Sequence, residues 1–348
     1  MSNLLTNVDE ISLPAFLPAG KLPSALLQRL LQQYTTPRNN VALGAGLGRD
    51  AAVIELSDRL LIAKSDPITF VEEDLGYYAV HLNANDVACM GGEPRWFMAT
   101  VLLPEHKTAA ARVERIFQQI SQACETLEIA WCGGHTEITA AVVQPVVIGM
   151  MFGEVLLTRR YSPALIESGD QIVLTKGLAV EGTAIIGRTK AVQLTEAFEA
   201  EFAVHCQSFL RAPGISVLPE AKLAWETPGI HALHDPTEGG LANAVHELLE
   251  EKNLGVELLA ANIPLLPETK LLCEHFSLDP LGLIASASLL VVGNASACEQ
   301  VMQQYHAANI PATLIGQVLA EGDGRWLLEG DERQSLPQFQ ADEILRVL

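Results

Sequence analysis

The sequence lacks a continuous apolar run long enough to cross a bilayer. The apolar stretch 140–157 is interrupted by Gln144, Pro145 and Glu154, and the run 281–293 is too short to span. The N-terminus also lacks a basic start followed by an apolar block, so no secretory signal is visible. We therefore expect a soluble, cytoplasmic protein without a membrane partner.

Basic residues are scarce. The chain has 22 Lys and Arg against 42 Asp and Glu, which gives a formal net charge of −20. A field of this sign repels nucleic acid, so we expect no nucleic-acid partner. An anionic ligand would need local cations or backbone N–H groups, because the bulk field opposes it.

Cysteine pairs of the metal-binding kind are missing as well. The six cysteines form no CxxC pair and no cluster with histidine. This pattern predicts reduced thiols and argues against both a disulfide framework and a zinc site.

The chain has enough apolar residues for packed cores, at 49% of 348 residues, and its length favours two domains. We expect an N-terminal arm and helix over 1–40, a first domain over 41–160 and a second over 161–348. The boundary is placed in TRRYSPALIESG, where the composition changes. Because each half mixes strand and helix patterns, the expected class is α/β or α+β.

Periodicity predicts the elements of both halves. In the first half these are helices over 25–34, 75–90 and 108–127, and strands over 51–55, 60–64, 96–103, 129–132 and 142–152. In the second half they are a strand over 171–177, mostly helix up to 225, a helix over 241–251, a strand over 289–293, a helix over 297–310 and a strand over 311–319.

Three aspartates, Asp50, Asp66 and Asp86, lie at the margins of apolar segments. Buried carboxylates need a partner, so together they suggest a divalent metal held beside phosphate groups. Singly, Asp50 can close a turn, and Asp66 before Pro67 resembles a strand exit. Asp86 is harder to explain without a partner, since aspartate is a poor residue inside a helix.

A glycine-rich loop, Gly44-Ala-Gly46-Leu-Gly48, precedes the first aspartate. Its backbone N–H groups can approach phosphate closely. It is not a dinucleotide fingerprint, because a strand rather than a helix follows it. An ordinary loop is the alternative interpretation.

Two further motifs contain histidine. In His234-Asp-Pro-Thr-Glu-Gly-Gly240 a hydroxyl and two glycines precede a helix, which favours anion binding. The alternative interpretation is that Asp235 or Thr237 only caps the helix. Cys132-Gly-Gly-His-Thr136 is predicted at a strand exit with a tight turn, where His135 faces a ligand or is only a hydrogen-bonded loop residue.

The segments GRDAAVI, KSDPITF, NANDVACMGG, GGHT and HDPTEGGLANAVHEL, in this order, resemble the aminoimidazole ribonucleotide (AIR) synthetase-like, or PurM-like, superfamily. That group includes thiamine-monophosphate kinase, selenophosphate synthetase and the hydrogenase-maturation factor HypE. The resemblance spans about residues 20–320 and is nearest to the hydrogenase-maturation branch.

The resemblance implies a two-domain fold. Its N-terminal mixed sheet carries helices and pairs with that of a second copy in a homodimer, and its C-terminal domain is an α/β sandwich. ATP is expected between the domains and across the dimer interface, with Mg²⁺ held by Asp50, Asp66 and Asp86. The residues expected near the nucleotide are Gly44, Gly46, Gly48, Asn83, Asp235, Thr237, Gly239 and Gly240.

The chain departs from the family pattern in several motifs. Arg49 stands where relatives usually have an acidic residue, His135 replaces the aspartate of GGDT, and Glu238 replaces the arginine of DPTRGG. The printed sequence ends in DEILRVL, without the terminal cysteine that carries the carbamoyl group in HypE. The resemblance therefore predicts the bound ligand rather than the reaction.

The expected function is that of an ATP- and Mg²⁺-dependent, HypE-like enzyme that phosphorylates or activates an unidentified small molecule or partner group. One alternative is a nucleotide-binding assembly protein without turnover, which the changes at Arg49, His135 and Glu238 motivate. Another is a phosphotransferase resembling thiamine-monophosphate kinase.

Overall fold

The structure is a computed structural model that describes residues 21–35, 38–46, 49–156 and 163–348. These residues form two α/β domains, each built on one sheet. The mixed α/β class expected from the sequence is confirmed. The predicted boundary at 160 lies outside the described residues.

The first domain contains one six-stranded sheet and its helices. Its strands are β1 (Val41–Leu43), β2 (Ala52–Glu55), β3 (Arg59–Ile68), β4 (Glu93–Pro104), β5 (Ala130–Thr139) and β6 (Val146–Leu156). Its helices are α1 (Ser24–Tyr34), α2 (Leu75–Cys89) and α3 (Ala110–Thr126). The strand order is β1-β2-β3-β6-β4-β5, with only the β4–β5 pair parallel among these.

Strand β3 is longer than the sequence predicted, and this moves Asp66. Its inward-facing row begins with buried Leu60 and Ile62 and continues through Lys64 and Asp66, because side chains alternate along a strand. The prediction that Asp66 lies at a strand exit is wrong. Pairing with β6 continues to Ile68, so the strand carries the carboxylate beneath α2.

The predicted turn at Cys132–Thr136 is also wrong, since these residues lie inside β5 and pair with β4. Gly134 has φ +145°, and a Cβ there would lie 1.8 Å from the Ala99 carbonyl oxygen. The glycine permits close approach of two strands rather than a turn.

One face of this sheet is covered by α2 and α3, and the other is exposed. We call the exposed side the open face, formed by Trp96, Met98, Ile148, Met150 and Phe152. Met98 pairs with Met150 and Trp96 with Phe152 across β4 and β6, so the apolar side chains are contiguous. Contiguous exposed apolar surface of this kind is typical of an interface.

The second domain has one seven-stranded sheet between two helical layers. Its strands are β7 (Gln171–Thr175), β8 (Ile230–His234), β9 (Leu254–Leu259), β10 (Leu290–Gly293), β11 (Ala312–Glu321), β12 (Arg325–Glu329) and β13 (Glu332–Ser335). Its helices are α4 (Val180–Thr189), α5 (Ala191–Ala197), α6 (Ala200–Ser208), α7 (Leu218–Trp225), α8 (Gly240–Glu250), α9 (Pro267–Phe276) and α10 (Ala295–Ala307).

The order of this sheet is β13-β12-β9-β11-β7-β10-β8. Val173 and Val291 pack with α7 and α10 on one face, whereas Ile172 and Val292 face the other core with α4 and α8. The expected sandwich is therefore present. Strands β8, β9, β12 and β13 were not predicted from periodicity.

Helix α2 joins the two domains. Thirteen of its 15 residues are buried, because it packs on the first sheet and also contacts α7 and β8. A helix with no solvent-facing side needs apolar residues all round or satisfied polar ones. No helix among the described residues is long and apolar enough to cross a membrane.

Candidate functional site

A cavity of about 230 Å³ lies where the two domains meet. Strand β3 and helix α2 contribute to it from the first domain, and strand β8 and helix α8 from the second. Its charged lining residues are Lys21, Arg49, Asp50, Lys64, Asp66, Asp86, Glu181, Asp235, Glu238 and Glu247, joined by His234. Carboxylates outnumber the lysine and arginine side chains, so the cavity favours an additional cation.

Lys64 lies between two of the aspartates that the sequence assigned to metal. Its ammonium is 3.0 Å from Asp86 Oδ1 and 3.9 Å from Asp66 Oδ1. Burial alone would lower the pKa of Lys64, but the carboxylates of Asp86 and its neighbours raise it above the usual value. A charged side chain of the protein itself therefore compensates these two carboxylates.

His234 ends strand β8 and lies between carboxylates of both domains. Its Nδ1 is 2.7 Å from Asp50 Oδ1 and 2.9 Å from Asp50 Oδ2, while its Nε2 is 3.8 Å from Glu247 Oε2. Burial opposes the charged ring, yet the Asp50 carboxylate raises the pKa of His234 above its ordinary value. Asp50, His234 and Asp235 offer potential metal ligands within 4.8 Å of one another.

The deeper carboxylates are strongly desolvated. Burial, followed by the charge of Asp50, raises the pKa of Asp235 to about 6. Burial raises the pKa of Glu181 to about 8, although its Oε2 accepts a hydrogen bond from the Ser286 backbone N–H at 3.2 Å. A bound cation would favour the charged form of both groups.

Two basic side chains, Arg49 and Lys21, connect N-terminal segments of the chain to the second domain. Arg49 Nη1 donates to the Gly44 carbonyl at 3.2 Å, and its Nη2 lies 3.5 Å from Glu251 Oε1. Lys21 donates to Thr237 Oγ1 at 2.9 Å and to Glu247 Oε1 at 3.3 Å.

The acidic replacement at Glu238 also meets Lys21. Burial raises the pKa of Glu238, and the Lys21 charge opposes that shift. His135, by contrast, lies exposed on β5, where its Nε2 is 3.1 Å from Glu137 Oε2, and it does not line the cavity of its own chain.

The structure brings most of the predicted residues to this cavity, but not all. Those lining it are Gly46, Asp50, Asp66, Asp86, Asp235 and Thr237. Gly44, Asn83, Gly239 and Gly240 lie outside that lining. Gly48 is outside the described residues.

Asn83 and Gly239 are occupied by other contacts. The Asn83 amide donates to Ala79 O at 2.9 Å and to Asp66 O at 3.4 Å, which supports the backbone that carries Asp66. The Gly239 N–H donates to Asp342 Oδ2 at 2.7 Å. The N-terminus of α8 is thus capped by a carboxylate from the C-terminal segment, at the position where the sequence predicted phosphate.

Among the acidic, basic and histidine residues of the lining, reasoning from the sequence singled out no role for five, namely Lys21, Lys64, Glu181, His234 and Glu247. Two had a signal that could have been used. Lys64 shares a strand face with Asp66 two residues later, and His234 directly precedes Asp235. The others reach the cavity only through contacts distant in sequence.

Two α/β domains, one with an open sheet face and both contributing to an acidic cavity, define a two-domain protein with an interdomain ligand site. Its sequence matches the family models described as AIR synthase related protein, N-terminal domain, over residues 48–155, and C-terminal domain, over 167–328. The chain belongs to the AIR synthase-related family, in agreement with the resemblance found in its motifs.

Among curated proteins, the chain is 27% identical over 315 residues to a hydrogenase expression/formation protein of Methanocaldococcus jannaschii, covering 88% of this chain and 90% of that one. It is 25% identical over 316 residues to the carbamoyl dehydratase HypE of Cupriavidus necator, covering 87% and 84%. The likeness to the HypE branch therefore extends over most of both chains.

Solved structures share the fold. HypE in complex with ATP superposes with a TM-score of 0.71 at 21% identity, over 94% of this chain and 98% of that one. A ThiL complexed with AMPPCP and TMP gives 0.69 at 21% identity, over 90% and 94%. A chain from the crystal structure of a HypE–HypF complex gives 0.73 at 16% identity, over 91% and 100%.

Proposed function

We propose that this chain binds ATP with a divalent metal ion, Mg²⁺ as the family motifs predict, in the interdomain cavity. It uses the nucleotide to phosphorylate or activate a small molecule or a group on a partner protein. The observation that carries the proposal is that Asp50, Asp66, Asp86 and Asp235, from four separate motifs, line one cavity together with Lys64. Relatives of the same fold have been solved with ATP and with AMPPCP.

The residues fit a metal–phosphate ligand better than an uncharged one. Buried carboxylates next to a nitrogen ligand provide a donor set for a divalent ion, and His234 Nε2 is a buried atom without a hydrogen-bond partner among the described residues. When bound, the metal would supply charge neutralisation for the phosphate oxygens.

The protein's own cations would act beside it. Lys64 is held in place by Asp86, and Arg49 by the Gly44 carbonyl, so neither needs to become ordered when an anion arrives. Lys21 lines the same cavity from the segment before α1. These side chains would orient phosphate oxygens, which is the main requirement in phosphoryl transfer.

We also propose a homodimer, paired through the open face. The cavity of about 230 Å³ is smaller than the roughly 300–1,000 Å³ usual for ligand pockets, so part of a nucleotide must lie beyond this lining. A second copy would supply that surface.

We also propose that the two domains divide near residue 160. The family matches support this boundary, because the first ends at 155 and the second begins at 167.

Nucleotide binding should depend on metal and on Asp66. Of the two carboxylates within ion-pair distance of Lys64, Asp66 is the more weakly held, at 3.9 Å against 3.0 Å for Asp86. We expect Asp66→Asn to weaken Mg²⁺-dependent ATP binding at least about tenfold, measured by isothermal titration calorimetry with and without Mg²⁺. Asp58→Asn, in the exposed turn before β3, is the matched control and should leave affinity unchanged. Equal affinity for all three proteins would remove the assignment.

Turnover separates the candidate functions. Sustained ADP formation that requires an added acceptor supports the enzyme, and transfer of phosphate to thiamine monophosphate would identify the kinase alternative. Tight ATP binding without turnover would support an assembly protein. The placement of Lys64 against Asp86 and Asp66 favours that second candidate, because it occupies carboxylates that would otherwise hold metal.

The open face predicts a second, independent result. Met98→Glu places a charge in the apolar patch, next to Met150, and should convert a dimer into a monomer. Light scattering after gel filtration measures the mass. Val143→Glu, at a site 80% exposed in the turn between β5 and β6, should remain dimeric. A monomeric unmodified protein, or identical masses for both variants, would contradict the proposal.

A further inference from the structure

We infer that Asp50, His234 and Asp235 form a mixed nitrogen–oxygen metal site that binds Mn²⁺ more tightly than Mg²⁺. The inference rests on the proposed function, because this ion would be the one that accompanies the nucleotide, and it specifies the metal preference of that site. The three residues come from both domains and offer ligand atoms within 4.8 Å of one another.

His234 is the residue that distinguishes this site from an all-oxygen one. Its side chain is 3% exposed, and its Nε2 has no hydrogen-bond partner among the described residues. Its Nδ1 lies 2.7 Å from Asp50 Oδ1, a separation that two ligands of one ion can have, so a bound metal would replace the proton that these two atoms share. Glu247 Oε2 lies 3.8 Å from Nε2 on the other side of the ring, where a carboxylate commonly orients a histidine that binds a metal.

The positions of the lysine and arginine side chains favour metal binding at Asp50 and Asp235 rather than at Asp86. Within the described part of the chain, Asp66 and Asp86 are paired with Lys64, and Glu247 with Lys21. Asp50 and Asp235 have no lysine or arginine within ion-pair distance there. Their negative charge is therefore left to His234 and to a bound cation.

The donor set then determines the preferred ion. Mg²⁺ prefers oxygen ligands in a strict octahedron and retains water molecules. Imidazole favours first-row transition ions, whose affinities for such a site begin with Mn²⁺ and increase toward Cu²⁺. Mn²⁺ is the most useful probe, because its size is close to that of Mg²⁺ and it has an electron-spin signal.

The test uses the whole protein with the metal alone. We expect Mn²⁺ to bind without nucleotide, and Mg²⁺ to displace it only at about tenfold or greater molar excess, followed by the electron paramagnetic resonance of free Mn²⁺. Pulsed spectra of the bound ion should show modulation from a coordinated imidazole nitrogen. His234→Gln should abolish that modulation and the preference for Mn²⁺.

His231→Gln is the matched control. His231 lies on the same strand with its Nδ1 2.7 Å from Asp170 Oδ2, but it does not line the cavity, so its loss should change neither result. If His234→Gln does not fold, the pulsed spectrum of the unmodified protein decides alone.

Absence of bound Mn²⁺, bound Mn²⁺ without nitrogen modulation, displacement by equimolar Mg²⁺, or equal effects of the two variants would each overturn the inference. Mg²⁺-dependent ATP binding that persists in such a case would leave the proposed function intact. Loss of ATP binding in calorimetry is the separate result that removes the function.

Discussion

Replacing Lys64 by methionine is expected to lower the free energy of unfolding by about 3–5 kcal/mol, the usual cost of leaving a buried charge without its partner. Asp86, whose side chain is 4% exposed, loses an ammonium at 3.0 Å, and Asp66 loses one at 3.9 Å. Methionine preserves most of the volume, so the effect measures charge rather than a cavity. Guanidinium unfolding followed by circular dichroism gives the change.

Two further variants isolate that effect. Lys64→Met combined with Asp86→Asn removes both charges and should recover a large part of the lost stability, which a double-mutant cycle quantifies. Lys270→Met breaks an exposed contact, 3.9 Å from Glu274, and should cost no more than about 0.5 kcal/mol. If Lys64→Met proved as mild as Lys270→Met, the buried ion pair would not exist as described.

Asn85→Leu is expected to lower the free energy of unfolding by about 3–6 kcal/mol, because three buried backbone groups lose their partner. The Asn85 amide donates to Ile215 O at 2.8 Å and to Ser286 O at 3.1 Å, and its Oδ1 accepts from Val217 N–H at 2.9 Å. All three partners belong to the second domain. The variant should therefore also loosen domain contact, which limited proteolysis would detect as faster cleavage.

The control for Asn85 is Asn262→Leu. Asn262 makes one exposed hydrogen bond, to Leu314 O at 3.0 Å, which water can replace. We expect a change within about 1 kcal/mol. Equal effects at the two positions would show that Asn85 does not hold the domains together.

The elements that the sequence predicted correctly are those with strong local patterns. Helix α2 was predicted from its apolar pattern and from the glycine pair that follows it. Asp86 was predicted as a functional residue because a carboxylate inside a buried helix needs a partner. The partner itself was not predicted, since Lys64 is on a different element and meets Asp86 only after β3 packs beneath α2. A local sequence pattern can show that a buried polar group needs a partner, but it does not show which residue that partner is.

The errors concern groups whose surroundings come from distant segments. Gly133 and Gly134 predicted a turn, but both lie inside β5, and Gly134 allows β4 to approach closely. Gly239 was predicted beside phosphate, and its N–H is bonded by Asp342, which is 103 residues away. In each case the glycine correctly indicated that another group comes close to its backbone, but the tertiary fold determined which group that is.

The sequence by itself determined the family, the two-domain α/β class and the segments that carry the candidate ligands, because these depend on motif order and on local periodicity. Only the tertiary structure decided how the charges pair. Lys64 joins Asp86, Arg49 reaches Glu251, and His234 meets Asp50 across 184 residues of chain. Electrostatic energies depend on distances of a few ångströms and on burial, and neither exists until both domains have packed around the cavity.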